Sequence, residues 1–148
     1  MLRGLTTTTF YADDLTAAIE WYSDLFGIEP YFVRNGPDGT PAYAEFRIGD
    51  YQHEFGLVRG DYRPSLAQPG PGGAIANWAV DNVEDAFAKL LEKGAKEYEP
   101  IIERGPGFVT AAVVDPFGNI LGVMFNQHYL DVLAERPPVE LRAPTPVE

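Results

Sequence analysis

Residues 14–27 read DLTAAIEWYSDLFG and predict an amphipathic helix, and residues 82–94, NVEDAFAKLLEKG, repeat its pattern. In the first stretch, apolar residues recur at helical spacing between Asp14, a candidate N-cap, and Gly27. In the second, Asn82 takes the cap position and Gly94 follows the periodic run. An offset of 68 residues aligns Asp14 with Asn82. The chain is therefore predicted to contain an internal repeat with one helix in each copy.

Runs that favour β-strands surround each helix. The predicted strands are 6–11, 29–34, 42–48 and 52–59 around the first helix, and 74–80, 95–103, 108–114 and 120–125 around the second. Each copy is thus a β-α-β-β-β module, and the fold class is α+β. We expect the first module to span residues 4–59 and the second residues 74–125. A linker rich in proline and glycine covers 60–73, and a C-terminal segment with a proline-rich tail covers 126–148.

Composition narrows the classes of partner and chemistry. Among 148 residues, 22 Asp and Glu stand against 11 Lys and Arg, which gives a net charge of −11. This balance argues against nucleic acids and anionic membranes as partners, and favours a cation if the partner is charged. The absence of cysteine excludes thiolate metal sites and a Cys nucleophile. No apolar run is long enough for a secretory signal or a membrane span, so we expect a cytoplasmic protein.

Alternation along the strands separates a helix-facing set of side chains from an opposite set. The opposite set mixes aromatic, small and polar residues with two acids, which is typical of a surface that surrounds a ligand. A solvated sheet with scattered apolar residues is the alternative interpretation. With Trp78 and Phe108 added, the candidate ligand-binding residues are Thr7, Thr9, Tyr11, Tyr43, Glu45, Arg47, Glu54, Gly56, Ile75, Asn77, Trp78, Phe108, Gly122 and Met124.

Several motifs resemble the vicinal oxygen chelate superfamily, which contains glyoxalase I, bleomycin-resistance proteins and extradiol dioxygenases. They are YADDL at 11–15, WYSDLFG at 21–27, AVDNV at 79–83, Gly94-Ala95 and the turn DPFGN at 115–119. The turn is the most specific of them, and the resemblance extends from about Leu5 to Phe125. It implies two modules that form a curled mixed sheet around a ligand cavity, and it implies a homodimer.

Metalloenzymes of this superfamily place metal ligands on the first and last strands of each module. By motif spacing, those positions here are Thr7, Gly56, Ile75 and Gly122. A threonine hydroxyl is a weak ligand, and glycine and isoleucine side chains are none. His53 and Glu54 are neighbours that point to opposite faces of a strand, so they are not expected to bind one ion together. The resemblance is therefore closest to the metal-free, bleomycin-resistance-like branch, and we expect no metal and no cofactor.

Three functions remain open at this stage. The first is a metal-independent binding protein that sequesters a cationic or planar aromatic compound, such as an antibiotic. The second is a glyoxalase-like lyase or isomerase, or a dioxygenase-related enzyme, in which Glu45 or Glu54 acts as general base and Arg47 holds an anionic substrate. The third is a subunit or interaction module with a vestigial cavity.

Overall fold

The computed structural model describes residues 5–68 and 70–136, so the proline-rich tail lies outside the described residues. The helices are α1 (Leu15–Phe26), α2 (Val83–Glu92) and α3 (Gln127–Ala134). The strands of the first module are β1 (Thr7–Ala12), β2 (Phe32–Asn35), β3 (Pro41–Ile48) and β4 (His53–Arg59). Those of the second are β5 (Ala76–Ala79), β6 (Lys96–Gly105), β7 (Phe108–Val114) and β8 (Ile120–Asn126). The predicted α+β class and the tandem β-α-β-β-β modules are confirmed.

The two repeated helices begin and end where the sequence predicts. The carboxylate of Asp14 accepts a hydrogen bond from the Ala17 amide at 3.0 Å, and the Asn82 side chain accepts one from the Asp85 amide at 2.8 Å. Each cap satisfies an amide of the first turn that has no partner inside the helix. Gly27 ends α1 in the left-handed region, with φ of 70°. None of the helices in the described ranges is long and apolar enough to cross a lipid bilayer.

The eight strands form two mixed sheets of four, in the orders β1-β4-β3-β2 and β5-β8-β7-β6. In each sheet the first and last strands of the module run parallel, and the remaining pairs are antiparallel. Strands β1 and β5 are both edge strands, and in the described part of the chain no strand pairing joins the two sheets. The seam between these edges is therefore not closed by backbone hydrogen bonds.

A shared apolar core holds the modules together. On β3 and β4, Ala44, Phe46, Phe55 and Leu57 are fully buried beneath α1. The core continues without a break into residues of α2, β7 and β8. Since water is excluded from both modules at once, each module stabilises the other.

The turn at residues 115–119 provides a buried polar link between the modules. The Tyr22 hydroxyl of α1 donates to Asp115 Oδ2 at 2.5 Å, and both side chains are buried. Asp115 Oδ1 accepts from the amides of Phe117 and Asn119, which fixes the turn. The Asn119 side chain then accepts from the Tyr11 amide at 3.2 Å and donates to the Tyr11 carbonyl at 3.0 Å. The Asn119 side chain thus makes the two hydrogen bonds that a neighbouring strand would make with Tyr11 at the outer edge of β1.

Helix α3 is an element that the sequence analysis does not predict. Its N-cap is Asn126, whose side chain accepts from the amides of the first turn. The helix packs on the turn between β3 and β4, where Tyr129 donates to Asp50 Oδ2 at 3.0 Å and its ring lies 5.3 Å from that of Tyr51. A segment of eight residues is too short to be stable as an isolated helix, so these tertiary contacts decide its conformation.

Candidate functional site

The face of the first sheet opposite α1 carries three rows of neighbouring side chains. The strand registers place residues of β1, β4 and β3 side by side in each row. We call this surface the open face. Its rows are Thr7, Glu54 and Arg47; Thr9, Gly56 and Glu45; and Tyr11, Val58 and Tyr43. The structure therefore brings together all candidate residues that the sequence analysis assigned to the first module.

Glu54 is the centre of a polar network on the open face. Its Oε1 accepts from Arg47 Nη2 at 2.8 Å, and its Oε2 accepts from the Thr7 hydroxyl at 2.8 Å. The side chains of Arg47 and Glu54 are 40% and 28% exposed, so solvent screens this ion pair and its effect on stability is small. The network fixes the direction of both charged groups.

Glu45 lies in a different environment, although it belongs to the same face. It is half-buried, and Oε2 accepts a hydrogen bond from the Tyr43 hydroxyl. Burial raises the pKa of the Glu45 carboxyl above its ordinary value; the negative charge of Glu54 adds to this, and Arg47 opposes it. Burial and the charge of Glu54 also raise the pKa of Tyr43, which keeps its hydroxyl a neutral donor. Glu45 can therefore attract a cation or take up a proton.

Two aromatic residues next to this cluster were missed by the sequence analysis. The Arg47 guanidinium lies 5.1 Å from the ring centroid of Tyr31, and Phe32 lies 6.2 Å from Tyr43. Phe32 is also the strand neighbour of Glu45. Tyr31 and Phe32 are 40% and 42% exposed. The signal in the sequence is three consecutive large apolar residues, 31–33, at an edge where α1 cannot cover them.

A cleft of about 290 Å³ lies between the first strands of the two modules. We call it the β1–β5 cleft. Thr7 and Glu54 line it from the first module, and Ile75, Asn77 and Trp78 line it from the second. A larger cleft of about 540 Å³ continues along β1 toward the turn at 115–119. The β1–β5 cleft thus connects the charged network of the open face with candidate residues of the other module.

Three predicted site residues of the second module, Phe108, Gly122 and Met124, do not line this cleft. Phe108 and Met124 lie on β7 and β8, away from the walls of the β1–β5 cleft. Gly122 is buried beneath Ile75 and Asn77, and a Cβ atom added to it would lie 2.8 Å from Ile75 Cγ2. Trp78 lines the cleft, but its ring also packs on the core. The structure thus separates Phe108, Gly122 and Met124 from the residues that line the cleft, although the sequence pattern assigned all of them to one site.

The side chains at the four family metal positions do not fit a divalent ion. Thr7 supplies the one side-chain oxygen among them, and its hydroxyl already donates to Glu54. The space beside Gly56 is taken by Tyr43, whose hydroxyl oxygen would lie 3.0 Å from an added Cβ atom. Within residues 5–68 and 70–136, no group of three or more His, Cys, Asp or Glu residues could hold a metal ion.

Comparisons with known proteins agree with this architecture. The sequence profile of the Glyoxalase/Bleomycin resistance protein/Dioxygenase superfamily matches residues 4–123. No curated protein matches the chain significantly.

Solved structures with the same fold come from several bacteria. A glyoxalase-related enzyme from Fulvimarina pelagi is 21% identical over 85% of this chain and 90% of its own, with a TM-score of 0.66. A superfamily member from Sphaerobacter thermophilus is 17% identical over 83% and 97%, with a TM-score of 0.64. A lactoylglutathione lyase from Agrobacterium tumefaciens is 21% identical over 87% and 98%, with a TM-score of 0.58. At these identities the likeness concerns the fold alone.

Proposed function

Because this chain belongs to the glyoxalase/bleomycin resistance protein/dioxygenase superfamily, we propose that it is a metal-independent binding protein for a small cationic or planar aromatic compound. Its role would be to sequester such a compound, for example an antibiotic. The observation that carries the proposal is Glu45, a half-buried carboxylate beside aromatic side chains. No ion pair formed by the described residues includes Glu45.

The charges closest to Glu45 support a cationic ligand. In this cluster two carboxylates, Glu45 and Glu54, stand against one guanidinium, that of Arg47. Two further cations lie along the face, because Arg34 is the strand neighbour of Tyr43 and the Arg63 guanidinium lies 5.2 Å from the Tyr11 ring. Arg47 is held against Glu54, which leaves Glu45 as the carboxylate available to a ligand. Tyr43 and Phe32 provide ring faces beside it, and such faces attract cations and stack on planar molecules.

The arrangement also supports binding without a metal ion. Tyr43 and Asn77 take up the space beside Gly56 and Gly122, where relatives with metal would need ligands. A ligand would therefore contact hydroxyl, amide and carboxylate groups of the chain directly. Such a protein needs no proton transfer or bond cleavage, so its ligand should be recovered unchanged.

The proposal can be tested with benzyltrimethylammonium, a cationic aromatic probe, in a titration followed by calorimetry. Glu45→Gln should weaken binding roughly tenfold or more, because one charge at close range in a partly desolvated site is worth at least that factor. Glu84→Gln, an exposed carboxylate on α2, is the matched control and should leave the affinity unchanged.

Two results would contradict the proposal. Equal affinity of the wild type and Glu45→Gln would remove Glu45 from the site. Binding that disappears after chelation and returns with Mn²⁺, Ni²⁺ or Zn²⁺ would show that a metal is required.

An enzyme is the second candidate, and the raised pKa of Glu45 favours it. A carboxylate that holds its proton more strongly is a better general base, and Tyr43 could stabilise the developing charge on a substrate oxygen. Glu54 is less suited to this role because Arg47 and Thr7 already occupy its oxygens. A lyase or isomerase of this kind would convert its ligand, and Glu45→Gln would bind the ligand without turnover. Recovery of unchanged ligand from the wild type would decide against it.

We further propose that the protein forms a homodimer through the edge strand β2. Phe32 is 42% exposed on the open face and Val33 is 44% exposed on the opposite face, so both faces of this edge strand carry exposed apolar side chains. An exposed apolar strand edge favours pairing with a second copy. Val33→Lys should shift the sedimentation coefficient from that of a dimer to that of a monomer. A wild type that sediments as a monomer would contradict the proposal.

A further inference from the structure

A groove of about 580 Å³ lies at the end of the open face where Arg34 and Tyr43 are strand neighbours. We call it the Arg34 groove. Tyr43 and Val58 line it from β3 and β4, and Tyr62 lines it from the segment after β4. The groove exists because the Tyr43 ring extends over Gly56, where a Cβ atom added to the glycine would lie 3.1 Å from Tyr43 Cε2. The ring therefore leaves the surface beside Arg34 open.

Arg34 is a cation in this groove that has no anionic partner among the described residues. Its side chain is exposed, and it takes part in none of the ion pairs that these residues form. By contrast, Arg47, Arg59 and Arg63 each form an ion pair with a carboxylate. A guanidinium presents its N–H donors in a planar fork that matches the two oxygens of a carboxylate. Arg34 is thus suited to a carboxylate supplied by a ligand.

Glu45 does not line the Arg34 groove, but it lies next to it. Its carboxylate accepts a hydrogen bond from the Tyr43 hydroxyl, and Tyr43 lines the groove. The register pairs Arg34 with Tyr43, and it pairs Phe32 with Glu45. Arg34 and Glu45 are therefore diagonal neighbours on one face, a relation in which Cα atoms are roughly 7–8 Å apart. These two opposite charges lie close together without forming an ion pair with each other.

From this arrangement we propose that the ligand is a zwitterion, whose carboxylate binds the Arg34 guanidinium and whose cationic group binds Glu45. The assignment rests on the proposed function, since it adds an anionic group to the same cationic aromatic ligand. Two neighbouring charges that do not neutralise each other are complementary to a ligand with the reverse order of charges. The rings of Phe32 and Tyr43, 6.2 Å apart, offer apolar contact to the part of the ligand between its charged groups.

The overall charge of the protein makes this assignment specific. With a net charge of −11, the chain as a whole repels an anionic group. Solvent-exposed charges more than about 8 Å away are largely screened at physiological ionic strength, so the nearest cation decides whether a carboxylate is favoured. Among the described residues that line the Arg34 groove, Arg34 alone carries a charge. A gain in affinity from a carboxylate on the ligand should therefore depend on Arg34.

Two probes of nearly equal size test the assignment. (4-Carboxybenzyl)trimethylammonium and (4-carbamoylbenzyl)trimethylammonium share the ring and the cation, and only the first carries a carboxylate. The ring separates its two charges by roughly 7 Å, similar to the spacing of the diagonal pair. Each probe is titrated by calorimetry at neutral pH. The wild type should bind the carboxylate probe roughly threefold to tenfold more tightly than the amide probe.

Two variants locate the carboxylate. Arg34→Gln should bind the carboxylate probe no more tightly than the amide probe, because the guanidinium is gone. Lys89→Gln removes the same charge from an exposed position on α2. It is the matched control and should keep the preference of the wild type.

The outcomes separate this inference from the proposed function. If the wild type binds both probes with equal affinity, the zwitterion assignment is wrong while cation binding stands. A preference that persists in Arg34→Gln would also overturn the assignment, because the carboxylate would then bind elsewhere. If neither probe binds, the proposed function fails and the inference fails with it. The two probes are compared in the wild-type protein, so the test remains decisive even if Arg34→Gln does not fold.

Discussion

Replacing Tyr22 by phenylalanine removes one hydroxyl group from the contact between the two modules. The phenyl ring keeps its packing against the neighbouring rings of Phe10, Phe26 and Phe55. The lost interaction is the buried hydrogen bond from Tyr22 to Asp115. Asp115 is 3% exposed, and Asn119 Nδ2 is then the only described donor left on its Oδ2 atom, at 3.0 Å. Hydrogen bonds to charged groups contribute about 1.5–3 kcal/mol.

We therefore expect Tyr22→Phe to lower the free energy of unfolding by about 2 kcal/mol and Tm by roughly 4–8 °C. Urea denaturation followed by tryptophan fluorescence measures the change, and an unaltered m-value would show that the native surface is the same. Tyr98→Phe is the matched control, because Tyr98 is 48% exposed and should change stability by less than about 0.5 kcal/mol. A loss of less than about 0.5 kcal/mol in Tyr22→Phe itself would refute the reasoning that this bond joins the modules.

Three further predictions concern the same contact and the open face. Asn119→Ala should lower the free energy of unfolding by about 2 kcal/mol, because the outer edge of β1 loses two hydrogen bonds; an unchanged urea midpoint would count against this. Burial and Asp115 raise the pKa of Tyr22 well above its usual value. Above about pH 10 the unfolded chain therefore loses the Tyr22 proton while the native protein keeps it. The free energy of unfolding should then fall by up to about 1.4 kcal/mol per pH unit. Tyr22→Phe should not show this part of the pH dependence. Binding of benzyltrimethylammonium should weaken as pH falls through the raised pKa of Glu45, because protonation removes the negative charge; an affinity that is flat from pH 7 to pH 4.5 would contradict this.

The sequence predicted the members of the open face but not their interactions. Alternation along β3 and β4 assigns Glu45, Arg47 and Glu54 to one face from local pattern alone. The strand register then decides that Arg47 lies opposite Glu54, whereas Glu45 lies opposite Gly56. This difference leaves one carboxylate paired and the other half-buried beside Tyr43. Phe32 lies beside Glu45 for the same reason, because β2 pairs with β3 in this register.

The chain by itself determined the two repeated helices with their caps and the succession of strands along each module, because each depends on residues close together in sequence. The absence of a side chain at Gly56 and Gly122 also follows from residue type alone. The tertiary structure decided which side chains fill that space, which carboxylate stays unpaired, and that Trp78 keeps a buried N–H without a partner. Each of these depends on distances between segments that lie far apart in the sequence, and helix α3 exists where it does for the same reason.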